Sequence, residues 1–230
     1  MKWQDIWSDF VDLLFPRCCE ACDIPLVGNE ALICTACRIS LPRVGPGSLY
    51  AEQASNRFLH IPEVKSAGAF LLFAKRGKTQ RLLHALKYRG AKDLGIAIGR
   101  MFGEEMLLNG EMPPVTLIVS VPLHARKRRQ RGYNQSELIA EGISQAIGVP
   151  WSAELLVRRK FTETQTGKDR LERRENVEGV FEIGNFQDCK EVMLVDDVLT
   201  TGATLEACVL VLVAAGVKKV HIRTLAMAQH

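Results

Sequence analysis

The residues best suited to chemistry lie between Glu191 and Leu205. Asp196 and Asp197 stand side by side after the apolar run Val192–Val195, and Thr200-Thr201-Gly202-Ala203-Thr204 follows them. An unbroken apolar run suits a strand buried on both faces of a sheet, with the carboxylates where it emerges into solvent. A glycine-containing turn that opens a helix leaves backbone N–H groups pointing outward, and the helix dipole adds positive potential there. Threonine hydroxyls can donate to the same anion. Carboxylates beside such a cradle suit sugar hydroxyls or metal-bound water, so the stretch describes a site for a phosphorylated ribose. No lysine follows the glycine, so it is not a P-loop. One glycine instead of three is not the dinucleotide fingerprint. The plainer alternative is a strand, an acidic turn and a threonine-capped helix. It explains any two of the three parts more easily than all three in this order.

Two further groups carry chemistry. Cys19-x-x-Cys22 and Cys34-x-x-Cys37 are separated by eleven residues. Each pair can wrap two thiolates around one cation, and a connecting hairpin would bring the pairs together around tetrahedral zinc. Cys18 could replace Cys19, and an iron–sulfur cluster is the minor alternative. Cys189 and Cys208 are expected in the core. The other group is basic. His124, Arg126, Lys127, Arg128, Arg129 and Arg131 form a dense loop with no acid before Glu137. Such a loop suits pyrophosphate, nucleic-acid phosphates, or both. Arg158, Arg159 and Lys160 lead into the polar segment Thr162–Lys168, followed by Arg170, Arg173, Arg174 and Asn176. That segment is either a lid beside the ligand or a surface loop with a short helix.

The elements that must position these groups follow from periodicity. Strands are expected near 115–121, 154–157, 191–195 and 219–224, with a further strand over Ala67–Phe73. Helices are expected around Leu82, Leu83 and Leu86, from Lys92 to about Leu108, and from a capping box at Asn134-x-x-Glu137 to near Gly148. Strands alternating with helices imply a parallel α/β sheet with ligands at the strands' carboxyl ends. At the N-terminus Trp3, Ile6, Trp7, Phe10, Leu13 and Leu14 make an apolar helical stripe. Packing on its own domain is preferred there over binding a partner.

Composition agrees with this class. The chain has 230 residues, 47% hydrophobic and 24% charged, with net charge +4 and seven cysteines. That is room for one sizeable core plus a small module, and the charge is too mild for a polycation. Asp5, Asp9 and Asp12 interrupt any signal-peptide core, and no apolar run reaches a membrane span. A reducing cytoplasm, with metal binding favoured over disulfides, is the expectation. Expected boundaries are an N-terminal helix and zinc knuckle over 1–45, a linker over 46–66 and an α/β domain over 67–230.

Val195-Asp196-Asp197-Val198-Leu199-Thr200-Thr201-Gly202-Ala203-Thr204 resembles the phosphoribosyl pyrophosphate (PRPP) motif of type I phosphoribosyltransferases. The resemblance implies that Asp196 and Asp197 contact the ribose 2- and 3-hydroxyls. It implies that Thr200, Thr201, Gly202, Ala203 and Thr204 hold the 5-phosphate. Many purine-salvage members carry an aspartate where this chain has Thr200, which weighs against a 6-oxopurine acceptor. Over nearly its full length the chain is similar to the ComF/GntX family. The residues that carry this are the paired Cys-x-x-Cys; Leu86-Lys87-Tyr88-Arg89-Gly90; Pro122-Leu123-His124 with Arg126; Arg131-Gly132-Tyr133-Asn134-Gln135; Gln165 through Arg174 with Asn176; and the PRPP motif.

That family implies a type I phosphoribosyltransferase-like parallel sheet flanked by helices, with a small N-terminal zinc-binding module. It further implies a structural zinc on Cys19, Cys22, Cys34 and Cys37, and magnesium with PRPP. The implied role is in natural competence, handling incoming single-stranded DNA, with competence-machinery proteins such as a DNA helicase as partners and no membrane insertion. His124, Arg126 and Lys168 are then expected on pyrophosphate. Asp196, Asp197 and Arg126 would carry any transfer reaction. Arg128, Arg129, Arg131, Arg158, Arg159, Arg173 and Arg174 are expected on nucleic acid. Tyr88, Tyr133 and Phe161 are the candidates for stacking bases. A small-molecule phosphoribosyltransferase with an unidentified acceptor is the alternative, and a PRPP-sensing regulator ranks third.

Overall fold

The structure, a computed structural model, describes residues 16–159, 179–185 and 188–228. The N-terminal stripe, the polar segment with Phe161 and Lys168, and Arg170, Arg173, Arg174 and Asn176 lie outside the described residues.

The cysteine pairs frame a short helix, α1 (Thr35–Ser40), capped by Cys34, whose thiol accepts from the Cys37 amide. The stretch expected as a linker includes α2 (Leu49–Asn56), capped by the Ser48 hydroxyl. Ala54, Phe58 and Ile61, in and just after it, are buried in the core. β1 (Val64–Phe73) precedes α3 (Lys78–Tyr88) and α4 (Lys92–Leu108). β2 (Leu117–Ser120), α5 (Ala125–Arg131), α6 (Gln135–Ile147) and β3 (Trp151–Ser152) follow. β4 (Leu156–Arg158) and β5 (Phe181–Ile183) precede β6 (Glu191–Leu199), α7 (Ala203–Ala214) and β7 (Lys219–Ala228).

Five strands form one parallel sheet in the order β1-β7-β6-β2-β3. β6 is central and buried on both faces. Met193 and Val195 point into a layer shared with α3, α4, α6 and the cysteine module. Val192, Leu194 and Leu199 point into a layer with α2, α7, β4 and β5. The sequence expectation of a parallel sheet flanked by helices, with a cysteine-rich module, is therefore met. Among the described residues no helix is long and apolar enough to cross a membrane.

Two expectations need correction. The strand near 154–157 is not part of the parallel sheet. Trp151 and Ser152 take the edge position beside Ile118 and Val119 directly after α6. Leu156–Arg158 then pairs antiparallel with Phe181–Ile183, so that Leu155, Leu156 and Phe181 cover the α7 side of the core. The basic loop is also a helix, α5. The His124 ring accepts from the Arg126 amide at its start, and Gly132, at φ 80°, ends it. Arginine and lysine are good helix formers, and those in the last turn face the negative end of the dipole.

The tightest packing is where α4 crosses α6. Gly95, Gly99 and Gly103 recur every four residues on one face of α4, so the backbones can meet. A Cβ on Gly99 would run into the Ile139 carbonyl, and one on Gly142 into the Ile96 carbonyl. Backbone cannot give way as a flexible side chain does. Gly99→Ala or Gly142→Ala should destabilise the fold by roughly 3 kcal/mol, lowering the thermal midpoint by about 6–12 °C. Gly110→Ala, where φ is 67° but a Cβ meets nothing, should cost much less. Thermal melts of the three variants check this.

Candidate functional site

β2 stops at Ser120, where Val121 makes one last bond from its amide to the Val195 carbonyl at 2.9 Å. β6 continues beside β7 to Leu199. Beyond Val195 one edge of β6 is therefore open, and Asp196 and Asp197 lie on that edge. They sit within the strand, not past its end as the sequence suggested, because β7 keeps pairing with β6 four residues longer than β2 does.

Both carboxylates are held. Asp196 Oδ1 accepts from the Ser136 hydroxyl at 2.8 Å and from the Asp197 amide at 2.8 Å. Ser136 is placed by Asn134, the N-cap of α6, which accepts from the Ser136 amide and donates to the Val121 carbonyl at 2.9 Å. The cap expected at Asn134 is therefore real. Glu137 does not close a reciprocal box; it accepts a two-point ion pair from Arg128 at 2.9 and 3.2 Å. Asp197 Oδ2 pairs with Lys87 Nζ at 2.5 Å. Burial, then the neighbouring Asp197 charge, pushes the Asp196 carboxyl up to about 7, while Ser136, the Asp197 amide and Lys87 pull the other way.

The turn after the pair matches the anion cradle. Gly202, at φ 89°, starts α7 with no side-chain cap, and Thr200 is exposed while Thr201 and Thr204 are partly so. The left-handed backbone here favours glycine. The Phe58 ring lies 3.1 Å from where a Cβ would stand. Uncapped N–H groups at the head of a twelve-residue helix are the donors an anion needs.

Lys127 and Arg158, besides Lys87, lie within electrostatic reach of the carboxylates. Burial lowers the Lys127 pKa, as do Arg158, Arg131 and Lys87 nearby, against the pull of Asp197. Burial likewise lowers Arg158, with Asp196 opposing, and its guanidinium lies 5.3 Å from the Phe181 ring centre. Arg158, expected on nucleic acid, thus lies within electrostatic reach of Asp196. Burial, then Arg158 and the α5 cations, holds His124 below its ordinary value, in keeping with a ring nitrogen that accepts from the Arg126 amide. Arg126 and Arg129 are exposed on α5. Arg128 is engaged by Glu137, Arg131 donates to Gln135 at 2.7 Å, and Arg159 pairs with Glu182 at 2.9 Å.

Two sequence readings change. Tyr133 is buried, its hydroxyl donating to the Leu86 carbonyl at 2.7 Å, so it has no face for a base. Tyr88 remains exposed, with Arg131 5.7 Å from its ring centre. Conversely, Lys87, quoted within the Leu86–Gly90 motif but given no role by the sequence reading, pairs with Asp197. Its signal is its place at the end of α3, just before Gly90, whose φ of 70° turns the chain.

The thiols of Cys19, Cys22, Cys34 and Cys37 all lie within 4.8 Å of one another, while Cys18 is exposed and outside the group. Sulfurs on a tetrahedral zinc stand about 3.8 Å apart, from Zn–S bonds of about 2.3 Å. The Cys22–Cys34 separation is 3.8 Å. The amides of Cys34 and Cys37 donate to the sulfurs of Cys19 and Cys34 at 3.3 and 3.4 Å, as thiolate ligands require. The four thiols can hold a metal ion such as zinc. Cys189 and Cys208 are buried core residues. Since the cysteine module shares its core with α3, Cys37→Ser should remove the metal and cost roughly 3 kcal/mol of stability, again about 6–12 °C. Metal content and a thermal melt measure both.

No protein-family model matches the chain. It is 27% identical to the DNA utilization protein YhgH of Salmonella typhimurium, over 91% of this chain and 96% of that one. It is 35% identical to competence protein F of Haemophilus influenzae over 114 residues, 48% of this chain and 50% of that one. Among solved structures it is similar to the glutamine PRPP amidotransferase of B. subtilis, at TM-score 0.41 and 19% identity, over 61% of this chain and 30% of that one. It is also similar to the adenine phosphoribosyltransferase of Leishmania tarentolae, at TM-score 0.34 and 19% identity, over 59% of this chain and 71% of that one. The resemblance carried by the cysteine pairs, the basic segment and the acidic pair is therefore borne out by homologues bearing those two names.

Proposed function

We propose that this homologue of competence protein F and DNA utilization protein YhgH binds magnesium–PRPP and handles single-stranded DNA in natural competence. The observation that carries the reading is the acidic pair on the open edge of β6, beside the uncapped start of α7 and among Lys87, Lys127 and Arg158. In this reading Asp196 and Asp197 accept from the ribose hydroxyls. The amides and hydroxyls of residues 200–204 hold the 5-phosphate, and His124, Arg126 and Lys127 face the pyrophosphate. Magnesium arrives on the ligand's own oxygens and needs little protein ligation. Zinc on the four cysteines is structural. DNA follows the exposed cations of α5, Arg129 foremost, with Tyr88 as its stacking surface.

Anisotropy of a labelled single-stranded oligonucleotide, with and without magnesium–PRPP, tests both halves together. Binding altered by PRPP requires an equal, reciprocal change in PRPP affinity, because coupling free energies are mutual. Failure to bind either ligand ends the proposal.

A second reading, a phosphoribosyltransferase for an unidentified acceptor, is favoured by the perturbed Asp196 carboxyl on the open edge of β6. An acceptor nitrogen would attack C1 of the ribose as its bond to pyrophosphate oxygen breaks, with the leaving charge met by Arg126 and its neighbours. Pyrophosphate release with a nucleobase or nucleic-acid acceptor would identify it.

A further inference from the structure

The cysteine module and the acidic pair meet opposite sides of one helix. Lys78, Arg81 and Arg89, in or just past α3, face the module. Lys78 donates to the Ser40 hydroxyl at 2.6 Å. Arg81 pairs with Asp23 at 2.5 Å, and Arg89 with Glu20 at 3.6 Å. At about 100° per residue these three positions fall on one side of the helix, and Lys87 about half a turn away. Exposed ion pairs are individually weak. Beside them, Cys19, Ala21, Cys34 and Cys37 belong to the same buried core as Leu82, Leu83 and Leu86.

The far side of α3 is fixed just as firmly. The Leu86 carbonyl, near the helix end, accepts from the Tyr133 hydroxyl at 2.7 Å and from the Gln135 side-chain Nε2 at 3.4 Å. The next residue in that segment, Ser136, holds Asp196. Lys87 itself reaches Asp197. A rigid element with the thiols on one side and a cation on the acidic pair at the other can transmit position between them.

We propose that the metal-holding module positions Lys87: thiol-bound metal fixes α3, and α3 keeps the Lys87 ammonium on Asp197, where it offsets the pair's charge against an anionic ligand. This rests on the reading of the pair as a PRPP site. Two adjacent carboxylates repel pyrophosphate, and one neighbouring ammonium cancels half of that repulsion. Lys87 is thus a positioning and charge-balancing residue, and the cysteines act on ligand affinity without touching the ligand.

Calorimetric titration of metal-loaded protein with magnesium–PRPP tests this, using Lys87→Met, Lys87→Arg, the Arg81→Met/Arg89→Met double variant and the triple variant with Lys87→Met. Metal content and a cooperative melt are recorded for each. Lys87→Met should weaken binding about tenfold, and Lys87→Arg should recover most of that loss. The arginine pair, far from the ligand and still carrying its metal, should weaken binding several-fold. The triple variant should bind no more weakly than Lys87→Met alone, because all three changes break one chain of contacts. Parent-like binding by the arginine pair, or effects that simply multiply in the triple variant, overturns the coupling and leaves the PRPP site standing. A parent protein that binds no PRPP overturns both.

Discussion

The Asp196→Asn/Asp197→Asn protein is expected to bind magnesium–PRPP at least about 100-fold more weakly than its parent. Each carboxylate that accepts from a sugar hydroxyl makes a charge-assisted bond, worth about 1.5–3 kcal/mol. Two such bonds exceed the roughly 2.7 kcal/mol that a hundredfold requires. The fold should not suffer. An asparagine side-chain oxygen at position 196 can still accept from the Ser136 hydroxyl, which holds Asp196 now. The Asp196 pKa, pushed up to about 7, sets the sign of the stability change. A carboxyl raised above its unfolded value favours the folded state below that unfolded value, and the advantage fades as pH rises through about 7. At pH 8 the parent carries a desolvated, like-charge-strained carboxylate and the asparagine variant does not. Melts at pH 8 should therefore show the variant as stable as the parent or more so, while calorimetry shows lost binding. Unchanged affinity in the double variant would mean that the pocket has been misassigned.

Affinity for single-stranded DNA should fall on the order of 50-fold between 50 and 200 mM salt. That figure follows from about four neutralised phosphates at a slope of about −0.7 per contact in log affinity against log salt. The aromatic content of 7% and the burial of Tyr133 leave little stacking to offset this. Arg129→Ala should flatten the slope by about 0.7. Arg128→Ala should change it less, because Glu137 already holds that guanidinium at two points. Anisotropy titrations at four salt concentrations separate the variants. Affinity indifferent to salt would remove the electrostatic basis for DNA handling.

Much of this arrangement was legible in the chain itself. The buried run at Val192–Val195, the helix from Lys92 to Leu108 and the cap at Asn134 follow from local patterning that packing did not override. What escaped depends on partners remote in sequence. Asp196 and Asp197 look like residues past a strand end until β7 is seen to extend β6 to Leu199. Arg158 looks like one more surface cation, yet with Phe181 as its strand partner it lies within electrostatic reach of Asp196. Lys87 is an ordinary last-turn lysine until Asp197, 110 positions later, meets it. The helix α2 was hidden by the prolines and glycines before it, although Ser48 is a good N-cap.

The strand order also has a consequence for how the chain comes to be folded. β7 lies between β1 and β6, so β1, although bridged by Arg43 on its other edge, has no strand partner in the parallel sheet until one about 155 residues further along has been made. At about 5–20 residues per second of synthesis, that is a wait of roughly 8–30 s. The four cysteines, by contrast, span only residues 19–37 and can close on a metal while the rest is still emerging. The module can thus become ordered well before the sheet is complete. A shortage of a metal that these thiols can hold, such as zinc, would act on the nascent chain before the sheet had closed.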